Sequence, residues 1–250
     1  MSLQILVTAT AIAMLSAGCG GDEEPSRSAA LQDEPSFPPA MSPYEPAIDP
    51  ADFVEGIDNP YLPFEPGTEY IYEVAAEGEH ARDVITVTNK TKEIMGVTCT
   101  VVRDVESVKG KLAEKTFDWY AQDRYGNVWY FGEYSEAYED GKVSTEGSWE
   151  AGVDGALPGI IMLGDPQIGD RYRQEYFAGE AEDIGEVVKL DASIEVPHGS
   201  FTDLIVIEEW NPLEPKIYED DYYAEGVGLV FEEVTRGASE VVKLVKVTRG

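Results

Sequence analysis

Few side chains in this sequence stand where chemistry would need them. Asp220-Asp221, Glu208-Glu209 and the Asp118/Asp123 pair offer carboxylate oxygens, the donors that calcium takes. No regular ligand spacing favours one of these over another, so no cofactor is expected and calcium is the only metal the donors suggest. His198-Gly199-Ser200 sets a histidine near a serine, but two residues apart on a strand or turn is not the geometry of a catalytic triad. His80, in EGEHARD, reads as a solvated residue at a hairpin tip. No G-x-S-x-G, H-E-x-x-H, P-loop or EF-hand motif occurs. With 49 Asp and Glu, close carboxylates are guaranteed somewhere, so no acid/base pair can be singled out.

The richest stretch is DWYAQDRYGNVWYF, residues 118–131, in which six of fourteen residues are aromatic. On strands, alternate side chains share a face. Phe117, Trp119 and Ala121 then fall on one face, and Asp118 and Tyr120 on the other. Beyond a turn at 124–127, Trp129 and Phe131 share a face, opposite Val128 and Tyr130. The six rings therefore cannot make one platform. The economical assignment puts Phe117, Trp119, Trp129 and Phe131 in the core as cross-strand pairs. Tyr120, Tyr130 and Asp118 then face outward or into a groove, with Asp123 and Tyr125 beside them. Trp149, in the middle of a glycine-rich connector, is expected either to plug the core or to face a ligand.

The elements that must carry these residues begin after an export signal. Residues 1–18 are uncharged and mostly apolar, too short for a comfortable membrane span and apt for a signal peptide. Leu15-Ser16-Ala17-Gly18-Cys19 resembles a bacterial lipobox, which implies lipidation of Cys19 and a membrane anchor. Residues 19–50 read as a disordered, proline-rich, acidic tether, with seven prolines between positions 20 and 50. Beyond it lie about 200 residues, ample for a core without disulfides. After lipidation only Cys99 remains, so no intramolecular disulfide can form. The formal charge, 18 Lys and Arg against 49 Asp and Glu, is −31. Such a chain repels nucleic acid and anionic membrane surfaces. Two histidines and one free cysteine argue against a zinc or iron site of the usual kind.

The chain also repeats itself. Gly67 and Gly169 each precede an aromatic alternation, Thr98–Asp104 lies opposite Asp203–Glu209, and Trp119-Tyr120-Ala121 opposite Tyr222-Tyr223-Ala224. The offsets stay near 100 to 105 residues, which points to an internal duplication. Short β-branched runs bracketed by Gly, Pro, Asn and Asp make both halves strand-like. The fold class is all-β and antiparallel. Two similar meanders, 51–140 and 167–250, form a curved sheet, a sandwich or an open barrel, joined by the connector 141–166. Residues 133–142 read as a short helix or a charged hairpin.

Three pieces, Asn59–Thr68 (NPYLPFEPGT), Val196–Phe201 (VPHGSF) and Tyr222–Val230 (YYAEGVGLV), resemble a motif set of exported bacterial proteins. The resemblance spans about residues 57–247. It implies export and a β-rich fold and supplies no reaction. Members carry a cysteine at the position of Leu204, and Cys99 holds the equivalent place in the first repeat. The resemblance therefore implies that Cys99 is a buried free thiol whose partner has been lost.

Two function classes follow. The first is a lipoprotein of the cell envelope, in the outer membrane or at the cell surface rather than in the inner membrane, with a non-catalytic binding or scaffold role. Its groove would use Tyr120, Asp123, Tyr125, Tyr130 and Trp149, and its envelope ligand or protein partner is unknown. The second is a secreted enzyme acting on an extracellular polysaccharide.

Overall fold

The structure, a computed structural model, describes residues 43–139 and 141–250. The expected signal peptide, Cys19 and most of the expected tether lie outside the described residues. Apart from one 3-10 turn at Pro50–Asp52, every regular element there is a strand. The first half is a meander of β1 (Glu69–Ala76), β2 (Glu79–Ile94), β3 (Val97–Val108), β4 (Lys111–Gln122) and β5 (Val128–Glu139). Three short strands follow, β6 (Lys142–Ser144), β7 (Trp149–Glu150) and β8 (Leu157–Met162). The second half holds β9 (Arg171–Arg173), β10 (Glu175–Tyr176), β11 (Ile184–Val196), β12 (Gly199–Trp210), β13 (Tyr218–Ala224), β14 (Gly228–Arg236) and β15 (Glu240–Thr248).

All of them belong to one open antiparallel sheet. Its hydrogen-bonded order is β10-β8-β5-β4-β3-β2-β1-β15-β14-β13-β12-β11-β9, with β6 and β7 also pairing β5. The two ends of that order are consecutive chain, since Gln174 alone separates β9 from β10. The halves join at the centre, where β1 pairs β15. Local chemistry sets the early hairpins. Glu77-Gly78, Met95-Gly96 and Lys109-Gly110 all have positive φ, the two-residue turn whose twist matches its flanking strands.

One face of the sheet is buried, mostly apolar but with carboxyl groups set into it. Tyr70, Tyr72 and Val74 of β1 stand opposite Ile85, Asp83 and Ala81 of β2, and next to Val247, Leu244 and Val242 of β15. Tyr72, Ile85, Val87, Val102, Ile207, Tyr223 and Leu244 are all essentially inaccessible. Removing each from water contributes about 1.5–3 kcal/mol.

The same hydrogen bonds recur in both halves. The Gly67 amide donates to the Val87 carbonyl and the Val87 amide to the Thr68 carbonyl, both at 2.9 Å. The Gly169 amide donates to the Val187 carbonyl at 2.8 Å, and the Val187 amide to the Asp170 carbonyl at 2.9 Å. Across β3 and β4, Thr100, Val101 and Val102 oppose Tyr120, Trp119 and Asp118. Across β12 and β13, Ile205, Val206 and Ile207 oppose Tyr223, Tyr222 and Asp221.

Several expectations change. The connector is not structureless: β6, β7 and β8 all pair β5. Strands of two to six residues are too short to show a period, which is why the sequence reads as a loop. Of the two readings of 133–142, the hairpin holds: Glu139 pairs Lys142 between β5 and β6. The last part of the tether is packed. The Tyr44 hydroxyl donates to the Pro158 carbonyl at 2.8 Å, and its ring meets Tyr176 edge-on. One expectation holds unchanged: Cys99 is a free, fully buried thiol, and burial pushes it up to about 12.

Two of the motif pieces are structural joints. The Asn59 side chain donates to the Gly126 and Leu163 carbonyls and accepts from the Tyr61 and Leu62 amides. The Pro60 carbonyl accepts from the Gly226 amide at 2.7 Å, tying the first motif to the third. The VPHGSF piece is the turn between β11 and β12.

Candidate functional site

β4 and β5 position the aromatic stretch, and their two faces have different fates. Asp118, Tyr120 and Tyr130 share a face, as alternation requires, but that face is the buried one. Tyr120 is 1% and Tyr130 is 7% exposed. Their rings stack at 4.9 Å, between Phe64 at 5.2 Å from Tyr120 and Trp149 at 5.4 Å from Tyr130. The Tyr130 hydroxyl donates to Asp118 Oδ1 at 2.9 Å, with Glu133 Oε2 at 3.2 Å. This corrects the placement of Tyr120 and Tyr130 at an outward groove.

A groove opens beside this packing, reached from the face that carries Phe117 and Trp119. Phe117, Trp119, Tyr134, Trp149 and Phe177 give its aromatic lining, and its volume is about 550 Å³. Trp119, expected in the core, is buried yet lines this opening together with the half-buried Phe117. Lys90, Lys92, Glu133, Glu150 and Asp154 supply its charges. Trp149 reaches the groove because β7 lies against β5 at Gly132, opposite Glu150. Gly132 has φ +116°, and a Cβ there would fall 2.3 Å from the Trp149 carbonyl oxygen. Only glycine permits both the backbone angle and the approach.

Glu133 lines the groove, and further buried carboxyl groups lie behind it. Trp149 Nε1 donates to Glu175 Oε2 at 3.1 Å. Burial, and then Asp183, hold Glu175 well above the usual carboxylate range. Glu133 is pushed up to about 8 by burial and then by Asp118. Asp118 itself is raised to about 8 by burial and then by Asp104. Behind them the sheet sets acid opposite acid: Asp83 faces Glu106, and Glu106 faces Glu114. Asp83 is fully buried, with the Asp104 carboxyl and the Val84 amide beside it. Like charges directly opposed cost energy, so protons take the place of cations on this face. The second half repeats the theme: Asp221 faces Glu232, both are buried, and both lie well above the ordinary range through burial and then through Glu209 and Asp221 respectively.

The remaining sequence candidates lie elsewhere. Asp123 is a loop anchor, accepting from the Tyr125 and Asn127 amides, Asn127 Nδ2 and Trp129 Nε1 at 2.8–3.0 Å. Tyr125 is 67% exposed beside Arg124. Of the five predicted ligand residues, the groove takes in Trp149 alone. His198 stacks on Phe201 and lines no part of it, nor does His80. Among the described residues, no three His, Cys, Asp or Glu side chains are grouped to hold a metal ion. Asp118 and Asp123 serve separate partners, Tyr130 for the one and the 125–129 turn for the other. Lys92 and Glu150 leave no signal in the sequence because each looks like an ordinary solvated charge. Trp119 at alternate spacing from Phe117 was the available signal.

No family model and no curated protein matches the chain. Two solved structures resemble it. One, from Bacteroides fragilis, is called a "putative exported protein with YmcC-like fold". It is 14% identical, covers 76% of this chain and 99% of its own, and has a TM-score of 0.46. The other, from Parabacteroides distasonis, is called a "putative lipoprotein". It is 14% identical, covers 75% of this chain and 98% of its own, and has a TM-score of 0.41. At this level of similarity no residue role passes from them to this chain.

Proposed function

We propose that this chain is an exported lipoprotein, held in the cell envelope through a lipid on Cys19, that binds a small ligand in the groove between β4 and the 149–154 segment. The outer membrane or cell surface is its proposed location. One observation carries the binding role: a groove of about 550 Å³ whose aromatic walls stand beside the Lys92–Glu150 ion pair and the buried Glu133. Apolar walls with a few placed polar groups are what small-molecule sites use. The test is a thermal-shift screen of the full chain against glycans, lipids, amines and divalent cations, repeated with Trp119→Ala. A ligand that raises Tm in the parent and not in the variant supports the reading. A panel giving no Trp119-dependent shift contradicts it. Lipidation is checked separately by the mass of the processed chain and of Cys19→Ala, which should lose the acyl groups.

A further inference from the structure

The groove wall already holds ammonium groups against its rings, and both belong to the chain. Lys92 Nζ stands 3.2 Å above the centre of the Trp119 ring and 2.7 Å from Glu150 Oε2. Two residues along the same face of β4, Lys115 Nζ lies 5.5 Å from the centre of the Phe117 ring and pairs with Glu136. Each is an ammonium held between an aromatic face and a carboxylate. The face of an aromatic ring is the negative end of its quadrupole, so this arrangement selects cations.

Around Lys92 the acceptors outnumber the cations. Two lysines, Lys90 and Lys92, line the groove with three carboxylates, Glu133, Glu150 and Asp154. Behind Glu133 stands Asp118, and under Trp149 stands Glu175. The formal charge of the whole chain, −31, has the same sign. The field of the whole chain therefore favours a cation over an anion, while Glu133, Asp118 and Glu175, held protonated by burial, add hydrogen-bond acceptors rather than charge.

Resting on the reading of this groove as a ligand site, we infer that its ligand is an alkylammonium cation whose head takes the place of Lys92 between Trp119 and Glu150. Lys92 is suited to give way. Its side chain is 34% exposed and Glu150's is 35% exposed, so the pair opens to water at little cost. A lysine also carries its ammonium on a flexible four-carbon stem. Without ligand, Lys92 satisfies the ring and the carboxylate. With ligand it turns out to solvent, and the ligand's alkyl part covers apolar wall at Phe117, Val101 and Val153.

Tryptophan fluorescence of the full chain, titrated with n-butylammonium and with uncharged 1-pentanol of similar length, tests this. n-Butylammonium should bind about tenfold tighter than 1-pentanol. Glu150→Gln, which keeps the side chain's shape, should lose about tenfold, and Lys92→Ala should gain about tenfold because the internal competitor is gone. Equal binding of the two probes, or an unchanged affinity in Lys92→Ala, overturns the inference. If neither probe binds but a glycan or lipid does so in a Trp119-dependent way, the cation class falls and the groove stands. If nothing binds in a Trp119-dependent way, both fall.

Discussion

The two halves of the sheet share a register but not a covering. In the first, Asp118 and Tyr120 on β4 oppose Val102 and Thr100 on β3. In the second, Asp221 and Tyr223 on β13 oppose Ile207 and Ile205 on β12. Both halves bury an acid facing a glutamate on the next strand, Asp118 with Glu133 and Asp221 with Glu232. The outer faces diverge. In the first half β6, β7 and β8 fold against β5, and the 149–154 segment walls off a groove over Trp119. In the second half Trp210 stacks on Tyr218 at 6.0 Å, with Arg171 over the one and Arg236 over the other. The scaffold is common to both, and the site comes from what was laid over one copy of it.

The sharpest way to break the equivalence is to empty its matched positions. Tyr120→Ala and Tyr223→Ala each remove a fully buried ring and should each cost about 3–5 kcal/mol. Urea denaturation should place the two within about 1 kcal/mol of each other, and a larger gap would mean the halves are not energetically alike. Next in size is the covering itself. Gly132→Ala should cost about 2–4 kcal/mol, because a methyl meets the Trp149 carbonyl and φ is positive. It should also expose Trp149, read as a red shift in its emission.

The acidic faces give a pH dependence shared by both halves. Burial first, and neighbouring carboxylates second, raise Asp83 to about 6, Glu106 and Glu240 to about 7, and Asp118 and Glu133 to about 8. Folded groups with raised values bind protons that the unfolded chain has released. Their contribution is complete below the unfolded carboxylate range and is lost as pH rises through 6 to 8. Tm should therefore fall steadily from pH 5 to pH 9. Asp118→Asn and Glu133→Gln should each flatten that slope, and a Tm that rises with pH would contradict the buried, protonated state. The smallest effect is expected at Tyr125, whose exposed ring predicts a Tyr125→Ala change within about 0.5 kcal/mol.

Much of the fold was legible because local signals agreed. The turn glycines Gly78, Gly96 and Gly110 mark the hairpins, and the spacing of Tyr120 and Tyr223 from their partner strands encodes the shared register. Alternation also said which residues share a face, and Asp118, Tyr120 and Tyr130 do share one. It could not say which face is inside. That depends on β7, two residues long, and on Lys92 lying over Trp119, neither of which leaves a periodic trace. The buried carboxylates were hidden for a related reason. Asp and Glu read as solvated, and only cross-strand register shows acid set against acid.

The central claim is that the groove over Trp119 is the ligand site and that Lys92 is its internal occupant. A crystal of the chain grown with n-butylammonium tests it most directly. The account predicts an ammonium over the Trp119 ring, within hydrogen-bond distance of Glu150, and the Lys92 side chain turned out to solvent. Lys92 unmoved on the ring, with the probe bound elsewhere or nowhere, would contradict it.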